Sequence, residues 1–207
     1  MTQLPHTKVT RDDWVAAALD ALDDVAIDEL RVLVLAECLS ISRSSFYWYF
    51  DDLRGLQDEL LRRWQRNTES IVERTERGAS TITTACLGVF ECWADSSLYD
   101  ARLDLAVRDW GRRDADVAER VRDADDRRLD AVVGMFAAHG FDAAEALIRA
   151  RLLYHSQVGY HAVGTHEPMS VRVGYLPYYL QSITGHVPMP EELAAFAAFA
   201  QAANADG

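Results

Sequence analysis

The stretch Arg31–Phe50, RVLVLAECLSISRSSFYWYF, constrains this chain more than any other. Val32, Leu35, Ala36 and Leu39 recur at spacings that fall on one face of a helix. Ser40-Ile41 breaks the pattern. Ser42 is suited to cap a second helix, and counting from it Ile41 and Phe46 occupy the two positions of a hydrophobic staple. Phe46 and Phe50 are four residues apart, so they share a face and turn inward with Ile41. Arg43, Ser44, Tyr47 and Trp48 are left on the opposite face, which is cationic, hydroxylic and aromatic. A short helix pinned by two phenylalanines and showing such a face has the make-up of a helix-turn-helix recognition helix.

Three segments carry a resemblance to a known family. SRSSFYWYF resembles the end of the recognition helix of the TetR (tetracycline-repressor-like) regulators, which closes in Tyr-x-His/Tyr-Phe; Tyr47, Trp48, Tyr49 and Phe50 supply it here. LAECLSIS stands where that family has Leu-Ala-x-x-Leu-Gly-Val-Ser, and DDLRGLQDELL stands where its long fourth helix opens. The motif likeness runs from Asp13 to Trp64. It implies an all-α fold with an N-terminal three-helix DNA-binding domain over residues 1–52 (motif 31–50). A C-terminal helical regulatory and dimerisation domain over 53–207 would follow, with 53–76 as connecting helix. The chain also departs from the family's pattern. Leu53 replaces a basic residue that grips phosphate, Ser40 and Ser44 replace glycines, and Leu33 and Val34 replace polar side chains toward DNA.

Composition bounds the reading from outside. The net charge is −12, which argues against a generic nucleic-acid binder. Residues 1–75 alone carry −5, so DNA affinity must come from a locally basic surface, doubled in a dimer. No apolar run approaches the roughly 20 residues of a membrane span, and the first residues have no signal-peptide core. A cytoplasmic protein without a membrane partner is expected. Lys8 is the only lysine, and with His6 it could brush a phosphate backbone from the N-terminal tail. Cys38, Cys86 and Cys92 form no Cys-x-x-Cys pair and read as buried free thiols.

Along the chain, Thr10 can cap a helix carrying Trp14, Ala18, Leu22 and Val25. Asp51 or Asp52 then caps the long helix to about Glu76, and Gly78-Ala79-Ser80 is the clearest boundary. Further amphipathic stretches carry Ile82–Trp93, then Leu103–Trp110, then Val117–Phe136 with a dense charge run. Gly140 is the expected left-handed terminator and Asp142 the next cap. The helix from Asp142 to about Gly164 is apolar on two sides, as is Val171–Ile183, which contains Pro177. Each must bury both sides: one in its own core, the other against a partner. Pro190–Ala203 reads as one more short helix.

Candidate roles follow. For DNA, Arg43 can meet guanine bidentately, Ser42, Ser44 and Ser45 permit close approach, and Tyr47 and Tyr49 can donate to phosphate. Trp48 can pack on sugar or a thymine methyl, and Arg31 begins the preceding helix, where free N–H groups also favour phosphate. The family resemblance implies a small-molecule pocket, for which Phe90, Trp93, Trp110, Phe136, Tyr154 and His155 are candidates, with Gln157 among the polar groups; His155 reads equally as a neutral core histidine. It also implies a four-helix bundle across a two-fold axis, for which Leu152, Gly159, Tyr175, Tyr179 and Leu180 are candidates. The expected partners are a palindromic double-stranded operator, a second copy of the chain and an unknown effector. No nucleophile with a base, no metal-ligand spacing and no cofactor motif is found, so a non-enzymatic protein is expected. The reading is a ligand-responsive transcriptional regulator, released from its operator by a small molecule. The alternative is a dimer of the same fold that binds ligand or protein and has lost DNA binding.

Overall fold

The structure, a computed structural model, describes residues 9–165 and 167–205; His6 and Lys8 lie outside them. It is 76% helical, with no strand among the described residues. In chain order the helices are α1 (Arg11–Ala21), α2 (Val32–Cys38), α3 (Leu53–Glu76), α4 (Ile82–Ala94), α5 (Ala101–Gly111), α6 (Ala115–Ala138), α7 (Ala143–Ala162), α8 (Met169–Thr184) and α9 (Pro190–Ala203). Two short 3-10 helices, Ile27–Glu29 and Arg43–Trp48, flank α2. The chain packs as two compact units. One runs through Trp64 and takes in Arg102–Ala118, and the other holds Gln65–Ala101 and everything from Glu119 onward.

In the first unit, Thr10 starts α1 with a reciprocal capping box. Its N–H donates to the Asp13 carboxylate at 2.6 Å while its hydroxyl accepts from the Asp13 N–H at 3.3 Å. α1 stops at Ala21, short of the expected Val25, which is exposed beyond it. Asp20, Asp23 and Asp24 gather at this C-terminus, where negative charge opposes the helix dipole. Trp14, Phe46 and Phe50 form the centre: Trp14 meets Phe46 edge-on at 5.1 Å, and Phe46 stacks on Phe50 at 5.1 Å. α3 begins on Asp52, whose carboxylate accepts from the Gly55 N–H at 2.9 Å. Leu56, Leu60 and Trp64 of α3 are buried here, as are Leu103, Val107 and Trp110 of α5. The Trp64 indole donates to Asp104 at 2.7 Å.

The turn after α2 places Ser40 at φ +56°, the only non-glycine residue with positive φ among the described residues. The left-handed region costs an L-residue about 1–2 kcal/mol, partly offset for glycine by its greater entropy loss on folding. Ser40→Gly is therefore expected to stabilise the protein by about 0.5–1 kcal/mol. A urea midpoint that falls instead of rising would show that the serine hydroxyl, not backbone strain, governs the turn.

The second unit is built on α4, which is buried on almost every side. Gly140 at φ +89° ends the turn after α6 and lets the Phe141 N–H reach back to the Phe136 carbonyl at 3.4 Å. Asp142 then caps α7, accepting from the Glu145 N–H at 2.9 Å. Two polar clusters stitch this core. Arg128 of α6 has no exposed surface; its Nε donates to the Thr68 hydroxyl at 2.9 Å and its Nη1 to Tyr154 at 3.1 Å. Tyr154 in turn donates to Asp125 at 2.5 Å. Glu192 of α9 accepts from the hydroxyls of Thr81, Thr83 and Thr84 at the start of α4. Burial opposes its ionisation, but these hydroxyls and the Met189 N–H outweigh it and hold the carboxyl below its ordinary pKa.

Of the expected buried thiols, Cys86 and Cys92 are buried and Cys38 is exposed, because the inward face of α2 holds Leu35 and Ala36 instead. Burial pushes Cys92 up to about 12 and Cys86 higher, so neither is poised as a thiolate.

Candidate nucleic-acid interface

The segment Arg43–Trp48 folds as a 3-10 helix rather than as an α-helix, closed by Ser45 N–H to the Ser42 carbonyl at 3.0 Å and Tyr49 N–H to the Phe46 carbonyl at 2.9 Å. Ser42 makes no side-chain cap, contrary to the sequence expectation. Its hydroxyl pairs with that of Ser44 at 2.6 Å, and the Ser45 hydroxyl donates to the Ser42 carbonyl at 2.6 Å. Three nearby serines bond one another and the local backbone, and so compete with an α-helical start.

Below this turn, Phe46 and Phe50 are buried as the spacing requires. Above it, Ser42, Arg43 and Ser44 are exposed, Tyr47 is 54% and Trp48 84% exposed, and Arg31 stands exposed at the start of α2. A tryptophan this exposed is not packing the protein's own core. Tyr49 differs: it is half-buried, and its hydroxyl donates to the Val9 carbonyl at 2.5 Å, so its donor points inward. Ser45 is likewise half-buried.

Electrostatics sharpen the set. Most arginines of this unit are committed to carboxylates. Arg11 pairs with Glu59 at 2.6 Å, Arg63 with Asp12 at 2.6 Å, Arg102 with Asp23 at 3.0 Å and Arg113 with Asp28 at 2.8 Å. The Arg113 fork holds the Asp28 carboxyl below its ordinary pKa. Arg31 and Arg43 have no ion pair among the described residues. An acidic unit thus leaves two uncommitted guanidinium groups on its helix-turn-helix. Leu33 (55% exposed) and Val34 (47%) project from α2 into solvent as expected, with acidic Glu37, Asp51 and Asp52 also exposed.

The pocket candidates separate. Phe90, Trp93, Phe136 and Tyr154 are buried in the core of the second unit, and of the four Phe90 lines a cleft between α4, α7, α8 and α9. Trp110 is buried in the first unit, under the Arg54 guanidinium at 5.4 Å. His155 is neither a core histidine nor a lining residue: it lies exposed on the α7 face that also shows Ile148 and Leu152. Periodicity marked both positions as face residues without saying what each face meets.

Of the pairing candidates, Leu152 (51%), Tyr175 (48%) and Tyr179 (43%) are exposed, with Ile148 and Tyr178 beside them in sequence on the same two helices. Gly159 is half-buried and open around its Cα. Leu180 is fully buried in its own core, so it cannot meet a partner; it sits one residue past Tyr179, on the inward side with Leu176 and Ile183. Sequence reasoning missed Arg128, which lay hidden in a charge run, although its spacing from Ala124 and Val132 places it on the buried stripe of α6.

No family model matches the chain. Tetracycline repressor protein class G of Vibrio anguillarum is 36% identical over 74 residues, 34% of this chain and 34% of that protein. The match therefore spans about a third of that relative's length. The solved structure of Salmonella enterica GusR is similar with a TM-score of 0.64 at 15% identity, covering 89% of this chain and 98% of its own. Mycobacterium smegmatis AmtR gives a TM-score of 0.65 at 14% identity, covering 98% and 97%. Over about a third of its length the chain is thus similar to a tetracycline repressor, and it shares the helical fold of the GusR and AmtR structures.

Proposed function

We propose that the protein is a ligand-responsive transcriptional repressor of the cytoplasm, without catalytic activity, that binds a palindromic DNA operator as a homodimer and leaves it when a small molecule binds. The observation that carries this reading is the pair of uncommitted arginines, Arg31 and Arg43, on a helix-turn-helix whose phenylalanines face inward. Arg43 reads a base edge; Arg31, Tyr47 and the exposed serines contact phosphate; Trp48 packs on sugar or a thymine methyl. Tyr49, its hydroxyl spent on Val9, acts by holding the turn. An electrophoretic shift with the DNA upstream of its own coding region tests the reading directly, and no shift at low salt would refute it.

Arg43→Ala is expected to weaken operator binding by about 1–3 kcal/mol and to relax discrimination at one base position per half-site. Unchanged affinity and unchanged sequence preference would mean that the reading face lies elsewhere.

The ligand acts by preferring one spacing of the two recognition segments over another, and operator DNA must then weaken ligand binding by the same factor. A second reading, a protein-binding module without DNA affinity, is favoured by one feature: Leu33 and Val34 are exposed beside carboxylates on the surface that should meet phosphate. The same shift experiment separates the two.

A further inference from the structure

Gln157 of α7 is 94% buried, and its Oε1 has no hydrogen-bond partner among the described residues. A buried acceptor left unpaired is a cost that the fold retains only where something else fills the need. Gln157 lines the cleft between α4, α7, α8 and α9, whose apolar wall is Phe90, Met169, Val173, Leu176 and Phe196. The whole cleft encloses only about 30 Å³ and is open to solvent on one side, so the body of a ligand rests against that open side. Tyr175 and Tyr179, both exposed lining residues, offer ring faces there. On the rim the Tyr160 hydroxyl donates to Glu167 at 3.1 Å, and the Arg172 guanidinium lies 4.9 Å from the Tyr160 ring centre. Glu167 and Arg172 bring opposite charges, so the cleft selects for no net charge.

Resting on the ligand-control reading above, we infer that the effector is a neutral, flat aromatic molecule with a hydroxyl or N–H at one end, which donates to Gln157 Oε1. Five aromatic residues line the cleft (Phe90, Tyr160, Tyr175, Tyr179 and Phe196), which suits a ring more than a flexible chain. A buried acceptor in the cleft wall rejects molecules that lack the donor, since those leave Gln157 unpaired. Tyr175 and Tyr179 also belong to the proposed pairing face, so a ligand held against them bears on how two copies meet.

The test titrates the full chain calorimetrically with p-cresol and with 4-methylanisole, which has similar bulk and no donor. p-Cresol is expected to bind about tenfold more tightly, the worth of one hydrogen bond to a buried acceptor. Gln157→Leu keeps the shape and removes the acceptor; it is expected to melt no lower than the parent and to bind both molecules alike. Equal affinities in the parent, no p-cresol binding at millimolar concentration, or a preference retained by Gln157→Leu would each overturn the inference. p-Cresol binding that leaves operator affinity unchanged would count against ligand control while upholding the pocket.

Discussion

Arg128→Ala is expected to lower the stability of the protein by about 3–5 kcal/mol, the largest effect of any single truncation considered for the second unit. The side chain has no exposed surface, so truncation leaves a cavity. It also strips Thr68 and Tyr154 of the group that binds their hydroxyls and leaves the Asp125 carboxylate without the cation 4.0 Å away. Arg128→Met should recover most of the loss, because it refills the volume with nothing that requires a partner. Tyr154→Phe removes one hydroxyl and should cost about 1–2 kcal/mol. Urea unfolding followed by tryptophan fluorescence measures all three. An Arg128→Ala protein within 1 kcal/mol of the parent, by that measure, would mean the buried guanidinium contributes no net stability.

Arg128 also marks where sequence reading stops. The segment Arg120–Asp130 alternates charges and reads as a solvated face, and most of it is exposed or half-exposed. Burial, however, follows position on the helix rather than residue type: Val117, Ala124, Arg128, Val132 and Met135 form the inward stripe of α6. A periodicity argument that counts apolar residues passes over the one cation on that stripe. What was legible is what local physics dictates. Thr10, Asp142 and Gly140 start and stop helices as their side chains and backbone freedom require. The inward turn of Phe46 and Phe50 was readable from a spacing of four. The two-sided character of α7 was readable too, and one side is indeed covered within the chain while Ile148 and Leu152 are not.

What was not legible concerns partners of faces. Trp110 and Phe90 look alike in sequence, each a large aromatic on an amphipathic helix, yet they belong to different units. Leu180 and Tyr179 are neighbours, and only the packing of α8 decides that one is core and the other surface. At Arg43–Trp48, propensity favoured an α-helix, but the hydroxyls of Ser42, Ser44 and Ser45 took up one another and the backbone.

The exposed residues of α7 and α8 set up the second large effect. Leu152 is 51% exposed in the single chain, so Leu152→Asp should leave the protomer's own stability within about 0.5 kcal/mol of the parent. In a two-fold dimer paired through this face the same change buries a carboxylate from each copy, and the interface is self-complementary, so each charge also approaches its like. A buried unpaired charge costs several kcal/mol, and about 3 kcal/mol already weakens association by more than 100-fold. Light scattering at micromolar concentration should give a dimer mass for the parent and a protomer mass for Leu152→Asp, with the melting of the protomer core retained. Leu180→Asp is the control: that residue has no exposed surface, and its substitution should unfold the chain rather than split a dimer. Operator binding should fall with the dimer, because each copy would then engage its half-site without the other holding it in place. A parent that scatters as a monomer, or a Leu152→Asp protein that still pairs, would remove this face from the dimer and with it the geometric basis for reading a palindrome.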